Sequence, residues 1–371
     1  MFAAAFRSPC PLKRSFDEFE NRDDSVIRKP SPDFVPIPLR WVGPVKLAGP
    51  VVEGEFDVPL ATFEAPLWPS VNRGARVSAL SGGIHAVVVD ERMTRSVLVE
   101  TDRAETTLEL ERFLRERRGD LAAQVQATSR HARLLDVHTQ IVGNLLYLRL
   151  ELATGDAAGH NMVTKAADRV LDWLLDAFPR VRYVSVSGNY CVDKKASAVN
   201  GILGRGRYVV ADLLVPGEVC RAKLRTTPQQ LVDLNVKKNL LGGILAGSVR
   251  TANAHFANML LAFYLATGQD AANLVEGSQG VVHAEVRGED LYFSVTLPNL
   301  ILGTVGSGKD EPWVRENLER LGCLEAREAG ENARRLAVLA AATVLCGELS
   351  LLAAQANRGE LMRVHEKMER R

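Results

Sequence analysis

The feature that most constrains this chain is a helix-length stretch, residues 253–267, that is apolar on nearly every side. A helix without a polar face has to be buried, so the fold must surround this segment with other elements. Residues 240–249, just before it, are rich in glycine and other small residues, which allow close backbone approach. At 371 residues, the chain is long enough for two domains or for one large domain with an insertion.

Periodicity in the remaining sequence predicts both strands and helices. Between residues 96 and 185, a charged helix, two strands of which the second alternates, a second helix and a short strand follow one another. This order indicates a small inserted α+β domain. From residue 209 onward the chain is predicted to be mostly helical. The individual predictions are strands at 55–64, 86–90, 134–142, 145–152, 181–186, 281–286 and 291–295, and helices at 70–80, 106–127, 161–178, 253–267 and 312–356, the last group amphipathic.

Composition limits the class of protein. The formal net charge is +1, which argues against a nucleic-acid partner or an electrostatic membrane partner. The five cysteines form no CxxC pair, which favours reduced thiols over disulfides or a zinc site. No apolar run reaches the roughly 20 residues that span a bilayer. We therefore expect a cytoplasmic protein without a metal, and we predict that residues 1–40, rich in Pro, Ser and mixed charge, form a tail or arm.

Residues 187–195, Ser-Gly-Asn-Tyr-Cys-Val-Asp-Lys-Lys, concentrate the polar chemistry of the chain on a predicted loop after a strand. Two lysines beside an aspartate can bind an anionic substrate, although a solvated polar turn has the same composition. Asp270 lies between two apolar segments, so it needs a cationic partner, and Lys194 is the candidate. Glu64 ends a predicted strand, where a carboxylate is commonly only a surface group.

Two glycine-rich segments are candidates for binding phosphate. The turn at 155–161, Gly-Asp-Ala-Ala-Gly-His-Asn, opens a predicted helix, whose free N–H groups can hold an anion. Residues 303–309, Gly-Thr-Val-Gly-Ser-Gly-Lys, nearly match a nucleotide-binding P-loop. However, Asp310 stands where a magnesium-binding hydroxyl belongs, which argues against an NTPase. The glycines still allow a phosphate or nicotinamide to approach the backbone.

Together these segments resemble class I 3-hydroxy-3-methylglutaryl-coenzyme A (HMG-CoA) reductase in its soluble catalytic-domain form. The resemblance runs collinearly from Val42 to His365. It rests on residues 58–64, 72–74, 93–95, 128–130, 155–162, 187–195, 238–240, 253–258, 268–272 and 303–306.

The resemblance implies an α+β fold: a large, mostly helical domain with a long central helix, interrupted by a ferredoxin-like cofactor domain. The large domain would comprise residues 41–95 and 186–371, with a C-terminal flap at about 357–371, and the small NADP(H)-binding domain residues 96–185. It also implies a homodimer or homotetramer with active sites at the subunit interface. The implied reaction is the four-electron reduction of HMG-CoA to mevalonate and CoA, which consumes two NADPH in the mevalonate pathway of isoprenoid synthesis.

The same resemblance assigns roles to residues. Lys194 would polarise the thioester carbonyl, Glu64 would act as general acid, and Asp270 would hydrogen-bond both. His365 would protonate the departing CoA thiolate, whereas His255 is left outside the catalytic set. The implied substrate-binding residues are Arg95, Ser187, Asn189, Asp193, Lys195, Lys238 and Asn258. The implied cofactor-binding residues are Ser129, Arg130, Asp156, Asn161, Met162, Val305 and Gly306, with Arg130 favouring NADPH through its 2′-phosphate.

Some positions depart from the family pattern. The family's Glu-Asn-Val-Ile-Gly segment near residue 42 is absent, Ser307 replaces a glycine, and His160 replaces an apolar residue. Two alternatives therefore stay open: a reductase of a related 3-hydroxyacyl-CoA, and a catalytically silent homologue. The presence of Glu64, Lys194, Asp270 and His365 argues against the silent homologue.

Overall fold

The computed structural model describes residues 34–369. Residues 37–371 form one compact unit, and most of the predicted N-terminal arm, residues 1–33, lies outside the described part of the chain. Helix and sheet are mixed, so the predicted α+β class is confirmed at that level.

Within residues 34–369, nine strands are arranged in two antiparallel sheets. One is a hairpin of β1 and β2, and the other has seven strands in the order β4-β5-β3-β7-β9-β8, with β6 also paired to β3. The 16-residue β3 pairs through its first half with β7 and through its second half with β5. The strands are β1 (Leu39–Ala48), β2 (Glu53–Ala61), β3 (His85–Glu100), β4 (Arg133–Val142), β5 (Leu145–Ala153), β6 (Arg182–Ser185), β7 (Gly206–Val215), β8 (Val281–Arg287) and β9 (Asp290–Leu300).

The helices pack against the sheets. Two π-helical segments, Cys220–Leu224 and Asn235–Gly242, and a 3₁₀ turn at Ala271–Asn273 connect some of them. The α-helices are α1 (Leu67–Leu80), α2 (Ala104–Glu116), α3 (Arg118–Gln126), α4 (His160–Ala177), α5 (Ala198–Leu203), α6 (Gly217–Val219), α7 (Pro228–Leu234), α8 (Gly243–Leu245), α9 (Phe256–Ala266), α10 (Leu274–Gly277), α11 (Pro312–Arg320), α12 (Glu331–Ala356) and α13 (Glu360–Glu369).

The apolar stretch identified first forms α9, and as predicted it is buried in the main hydrophobic cluster. The longest helix, α12, joins it there and is buried on all sides from Leu336 to Ser350, so the prediction of an amphipathic helix is wrong for this segment. Among the described helices, α12 alone is long and apolar enough to cross a membrane, but 94% of its most apolar window is buried inside the protein. Gly74 lets α1 lie against α12, because a methyl group at that position would collide with the carbonyl oxygen of Cys346.

A second hydrophobic cluster consists almost entirely of residues 93–181. Here β4, β5, α4 and β6 confirm the predicted order of elements, and the predicted helix at 106–127 is divided into α2 and α3. The existence of two clusters is compatible with the predicted boundaries at 96 and 185, which stay a prediction.

The prediction of helix from residue 209 is wrong for its first part, because residues 206–215 form β7. Burial alternates along this strand, which lies between β3 and β9. A short apolar run does not distinguish a central strand from a buried helix.

Candidate active site

The loop between β6 and α5 carries Lys194 and has an unusual backbone. Asn189, Val192 and Lys194 adopt positive φ angles of 61°, 43° and 56°. Residues other than glycine rarely adopt this conformation, and it is especially unfavourable for a β-branched valine. The loop is therefore held by its surroundings rather than by local preference.

Lys194 and Asp270 form the expected ion pair, with 2.7 Å between Nζ and Oδ2. The hydrogen bond to Asp270 raises the pKa of Lys194. Burial acts to raise the pKa of Asp270, but the hydrogen bonds from Lys194 and the backbone N–H of Ala272 outweigh it, so this pKa is lowered. Both side chains are partly exposed, at 40% and 45%. The predicted pairing of Lys194 with Asp270 is thus confirmed.

The pair borders a cavity of about 530 Å³. Its walls come from the start of α4, the loop after β6, the turn after α9 and the glycine-rich segment after β9. The structure therefore brings together eight of the predicted site residues from all three sets: Arg95, Asn161, Met162, Asp193, Lys194, Asp270, Val305 and Gly306.

Positive charge dominates the surroundings of Asp193. Its Oδ1 lies 2.8 Å from Nη2 of the buried Arg205, and its Oδ2 lies 3.9 Å from Nη1 of Arg95. His160 also lines the cavity, 3.9 Å from Asp193, and burial followed by the charge of Arg205 lowers the pKa of its imidazole. A group with an anionic terminus suits such a cavity.

Lys309, the last residue of the segment that nearly matches a P-loop, also lines the cavity. Its ammonium donates to the carbonyl of Gly268, and burial lowers its pKa to about 8. In the sequence, only its position at the end of the glycine-rich segment indicates that Lys309 belongs to the site.

Glu64 lies at a different cavity, of about 370 Å³, which is mostly apolar and bounded by α1, α9 and α12. Its carboxylate accepts a hydrogen bond of 2.8 Å from Nδ2 of Asn258. Among residues 34–369 it makes neither a hydrogen bond nor an ion pair with Lys194 or Asp270. Within one chain, the predicted general acid and the predicted lysine are therefore not brought together.

His255 also borders the Glu64 cavity. Burial lowers the pKa of its imidazole to about 4, so the side chain is neutral at physiological pH, which supports its exclusion as an acid. The buried Glu348 accepts hydrogen bonds from the backbone N–H groups of Ala254 and His255, and burial raises its pKa to about 7. Lys238 lies on the π-helical segment Asn235–Gly242. Its Nζ donates a hydrogen bond of 3.0 Å to Oδ1 of Asn239, and burial lowers its pKa.

Several predicted residues line neither cavity. Ser187, Asn189 and Lys195 are exposed on the loop, and Ser129 and Arg130 lie in the turn between α3 and β4. The carboxylate of Asp156 accepts hydrogen bonds of 2.9 and 3.0 Å from the N–H groups of Gly330 and Ala333 at the start of α12. His365 belongs to α13, and its side chain lies outside the described part of the structure. The roles assigned to these residues stay predictions.

A cluster of possible metal ligands lies outside both cavities. Single ligand atoms of Asp136, His138 and Glu151 fall within 4.8 Å of one another. Glu151 is already paired with Arg149, over 2.8 Å, and with Arg92. Because its charge is balanced by these two guanidinium groups, the cluster is explained by ion pairing.

The fold and the site define an α+β enzyme in which an ion-paired lysine can polarise a carbonyl beside cationic and glycine-rich walls. The chain belongs to the hydroxymethylglutaryl-coenzyme A reductase family, whose model matches residues 34–370. It is therefore an oxidoreductase, and the resemblance found in its motifs is confirmed at the level of the family.

Two archaeal relatives support this assignment, and both are named 3-hydroxy-3-methylglutaryl-coenzyme A reductase. The protein from Aeropyrum pernix is 46% identical over 91% of this chain and 80% of the relative. The protein from Pyrococcus abyssi is 46% identical over 91% of this chain and 83% of the relative. A solved structure, the class II reductase of Streptococcus pneumoniae bound to NADPH, has the same fold, with a TM-score of 0.70 at 18% identity over 89% of this chain and 87% of that one.

Proposed function

We propose that this protein catalyses the NADPH-dependent reduction of HMG-CoA to mevalonate and CoA, as a step of the mevalonate pathway. The observation that carries the proposal is the Lys194–Asp270 pair, with 2.7 Å between Nζ and Oδ2, at the edge of a cavity with cationic walls. The reaction converts a thioester into a primary alcohol with two hydrides and two protons, and it releases CoA as a thiol.

Lys194 acts at the carbonyl oxygen. Its protonated amine polarises the thioester and stabilises the negative charge that develops on oxygen when hydride adds to carbon. Asp270 keeps this amine charged and oriented. NADPH, when bound, supplies the hydride in each of the two reductions.

The cavity residues suit both ligands. Arg95 can bind the terminal carboxylate of the substrate by charge-assisted hydrogen bonds. Asn161 and Met162, in the first turn of α4, and Val305 and Gly306 form the wall assigned to the cofactor. A side chain at Gly306 would point into open space, so its absence leaves room for a flat ring against the backbone. Ser129 and Arg130 are proposed to bind the 2′-phosphate.

The separation of Glu64 from Lys194 within one chain supports an oligomer. We propose a homodimer or homotetramer in which Glu64 of one copy completes the Lys194 site of another, and in which His365 on the flap protonates the CoA thiolate. Ile244 and Leu245, which are 74% and 89% exposed near the Lys238 segment, supply apolar surface that a second copy would cover.

The finer architecture and the location belong to the same proposal. The two hydrophobic clusters support a large domain of residues 41–95 and 186–371, around the long helix α12, and a ferredoxin-like cofactor domain of residues 96–185. We place the protein in the cytoplasm, where the four described cysteines, all buried and free, would stay reduced.

The proposal is tested by following absorbance of reduced nicotinamide with HMG-CoA and either NADPH or NADH. Wild-type protein is expected to oxidise two NADPH per mevalonate formed, and Lys194→Ala to show no turnover while retaining its fold. Turnover with another 3-hydroxyacyl-CoA but not with HMG-CoA would reassign the substrate. Binding of HMG-CoA by wild-type protein without oxidation of either cofactor would identify a catalytically silent homologue.

A further inference from the structure

The unfavourable backbone of the Lys194 loop requires specific support. Three residues other than glycine, Asn189, Val192 and Lys194, have left-handed backbone conformations within six positions. Such conformations persist only where the surrounding structure imposes them, and they are commonly found at functional sites. The groups that impose the conformation at Lys194 can be identified from its contacts.

Glu276 is the direct support. Its side chain is fully buried, and its Oε1 accepts hydrogen bonds from the backbone N–H of Lys194 at 2.9 Å, from Nη1 of Arg205 at 2.7 Å and from Nδ2 of Asn273 at 3.0 Å. Glu276 lies in α10, six residues after Asp270. One short segment therefore contacts both ends of Lys194, through Asp270 at its ammonium and Glu276 at its backbone.

Arg205 extends this support to the preceding residue. It is only 1% exposed, and its Nη2 lies 2.8 Å from Oδ1 of Asp193 while its Nη1 binds Glu276. Burying a guanidinium and a carboxylate is costly, and an apolar pair of similar size is often at least as stable. A contribution to stability therefore does not by itself account for the burial of Arg205 with Glu276. Control of the backbone geometry of the Lys194 loop does account for it.

We propose that Glu276 and Arg205 are positioning residues, which fix the backbone of Asp193 and Lys194 so that the Lys194 ammonium meets Asp270 in the cavity. This inference rests on the proposed function only for the catalytic role of Lys194. The geometric part, that the pair controls where the Lys194 side chain lies, can be measured without turnover.

The test compares Glu276→Leu with Glu276→Gln in the full chain. Leucine removes the acceptor for the Lys194 N–H, whereas glutamine keeps an acceptor oxygen in the same place. Asp290→Leu is the matched control, because Asp290 also accepts a long-range backbone N–H, from Gly217 at 3.0 Å, but lines neither cavity. The readouts are kcat with HMG-CoA, the Kd of NADPH, the melting temperature, and labelling of Lys194 by trinitrobenzenesulfonate, quantified by peptide mass spectrometry.

For Glu276→Leu we expect kcat to fall about 100-fold, the loss typical of a displacement of about 1 Å. Lys194 labelling should become several-fold faster as the ammonium leaves Asp270, with little change in the Kd of NADPH. Glu276→Gln should restore most of kcat and the slow labelling, and Asp290→Leu should lower only the melting temperature.

A folded Glu276→Leu protein with wild-type labelling and wild-type kcat would overturn the inference. If that variant does not fold, Arg205→Lys provides the same test, because a single ammonium cannot bind Asp193 and Glu276 in the same fork geometry. If the wild-type protein does not oxidise NADPH, the proposed function fails, but the labelling comparison still decides whether the pair positions Lys194.

Discussion

At the scale of the residue, two lysines of one cavity acquire opposite properties. A hydrogen bond to Asp270 raises the pKa of Lys194, whereas burial lowers the pKa of Lys309 to about 8. A lysine with a close carboxylate keeps its proton, and one enclosed without such a partner tends to lose it. Lys194 is therefore the residue suited to remain an electrophile throughout the neutral range.

Glu348 provides a prediction about stability and pH. Its pKa is raised by burial from 4.5 to about 7, so its contribution to stability is fully present below pH 4.5 and is lost as the pH rises through 7. Glu348→Gln has no charge to bury. It keeps one acceptor oxygen, but its amide nitrogen cannot accept the second backbone N–H, because the two N–H groups bond to different carboxylate oxygens. We expect the free energy of unfolding of the variant, relative to that of the wild type, to rise by up to about 3 kcal/mol from pH 4.5 to pH 8. This follows because a tenfold change in proton affinity corresponds to about 1.4 kcal/mol.

Urea denaturation across this pH range measures the difference. Glu331→Gln, in the first turn of the same helix and not fully buried, is the control and should show no comparable pH-dependent gain. A constant difference between wild type and Glu348→Gln at all pH values would contradict the prediction.

Sequence reasoning identified residues whose chemistry is visible locally. Lys194 and Asp270 were paired because an acid between apolar segments needs a cation, and the structure confirms that pair. Glu276 and Arg205 were missed because their partners are distant in the chain: 71 residues separate Arg205 from Glu276, and nothing in either local sequence indicates the contact. Pairing between remote segments is a property of the fold, which a local pattern does not contain.

At the scale of the element, regular patterns were predicted well and ambiguous ones were not. The alternating sequence of β5 and the amphipathic sequence of α4 have a clear period, and both elements were predicted. The apolar run of β7 has no such period, and the prediction of helix there is wrong. For α12 the prediction of helix is confirmed, but the predicted amphipathic character is wrong, because most of its residues are buried on every side. Tertiary contacts decide the structure of such segments.

The contact between α1 and α12 gives a prediction at this scale. Gly74→Ala places a methyl group against the carbonyl of Cys346, so the two helices must move apart. We expect a loss of about 3 kcal/mol in the free energy of unfolding, as for an overpacked core. Gly119→Ala in α3 meets open space and should be stabilising by up to about 1 kcal/mol. Equal effects of the two substitutions in chemical denaturation would exclude close packing as the cause.

At the scale of the whole molecule, the placement of Glu64 and Lys194 at different cavities makes the proposed assembly testable. Glu64→Gln and Lys194→Ala should each be inactive alone. If each site takes Glu64 from one copy and Lys194 from another, random re-pairing makes half of the dimers mixed, with one copy of each variant. Each mixed dimer then has one intact site and one inactive site. Mixing the two variants under dissociating conditions and reassembling them should then restore about a quarter of wild-type activity.

The mixing experiment has its own control. Glu64→Gln mixed with itself, and Lys194→Ala mixed with itself, should stay inactive after the same treatment. Restoration to no more than these background values would show that each site is completed within one chain, and the proposed interface would be withdrawn.

The strand β3 has a consequence for how the molecule responds to force and heat. Its residues run without a break from the sheet beside the main hydrophobic cluster, through the pairing with β7, into the pairing with β5 beside the second cluster. Force or thermal disruption at one end of β3 is therefore transmitted along its backbone to the hydrogen bonds at the other end. The two hydrophobic clusters are thus joined by a continuous strand, and the smaller one does not move independently as a domain on a flexible linker would.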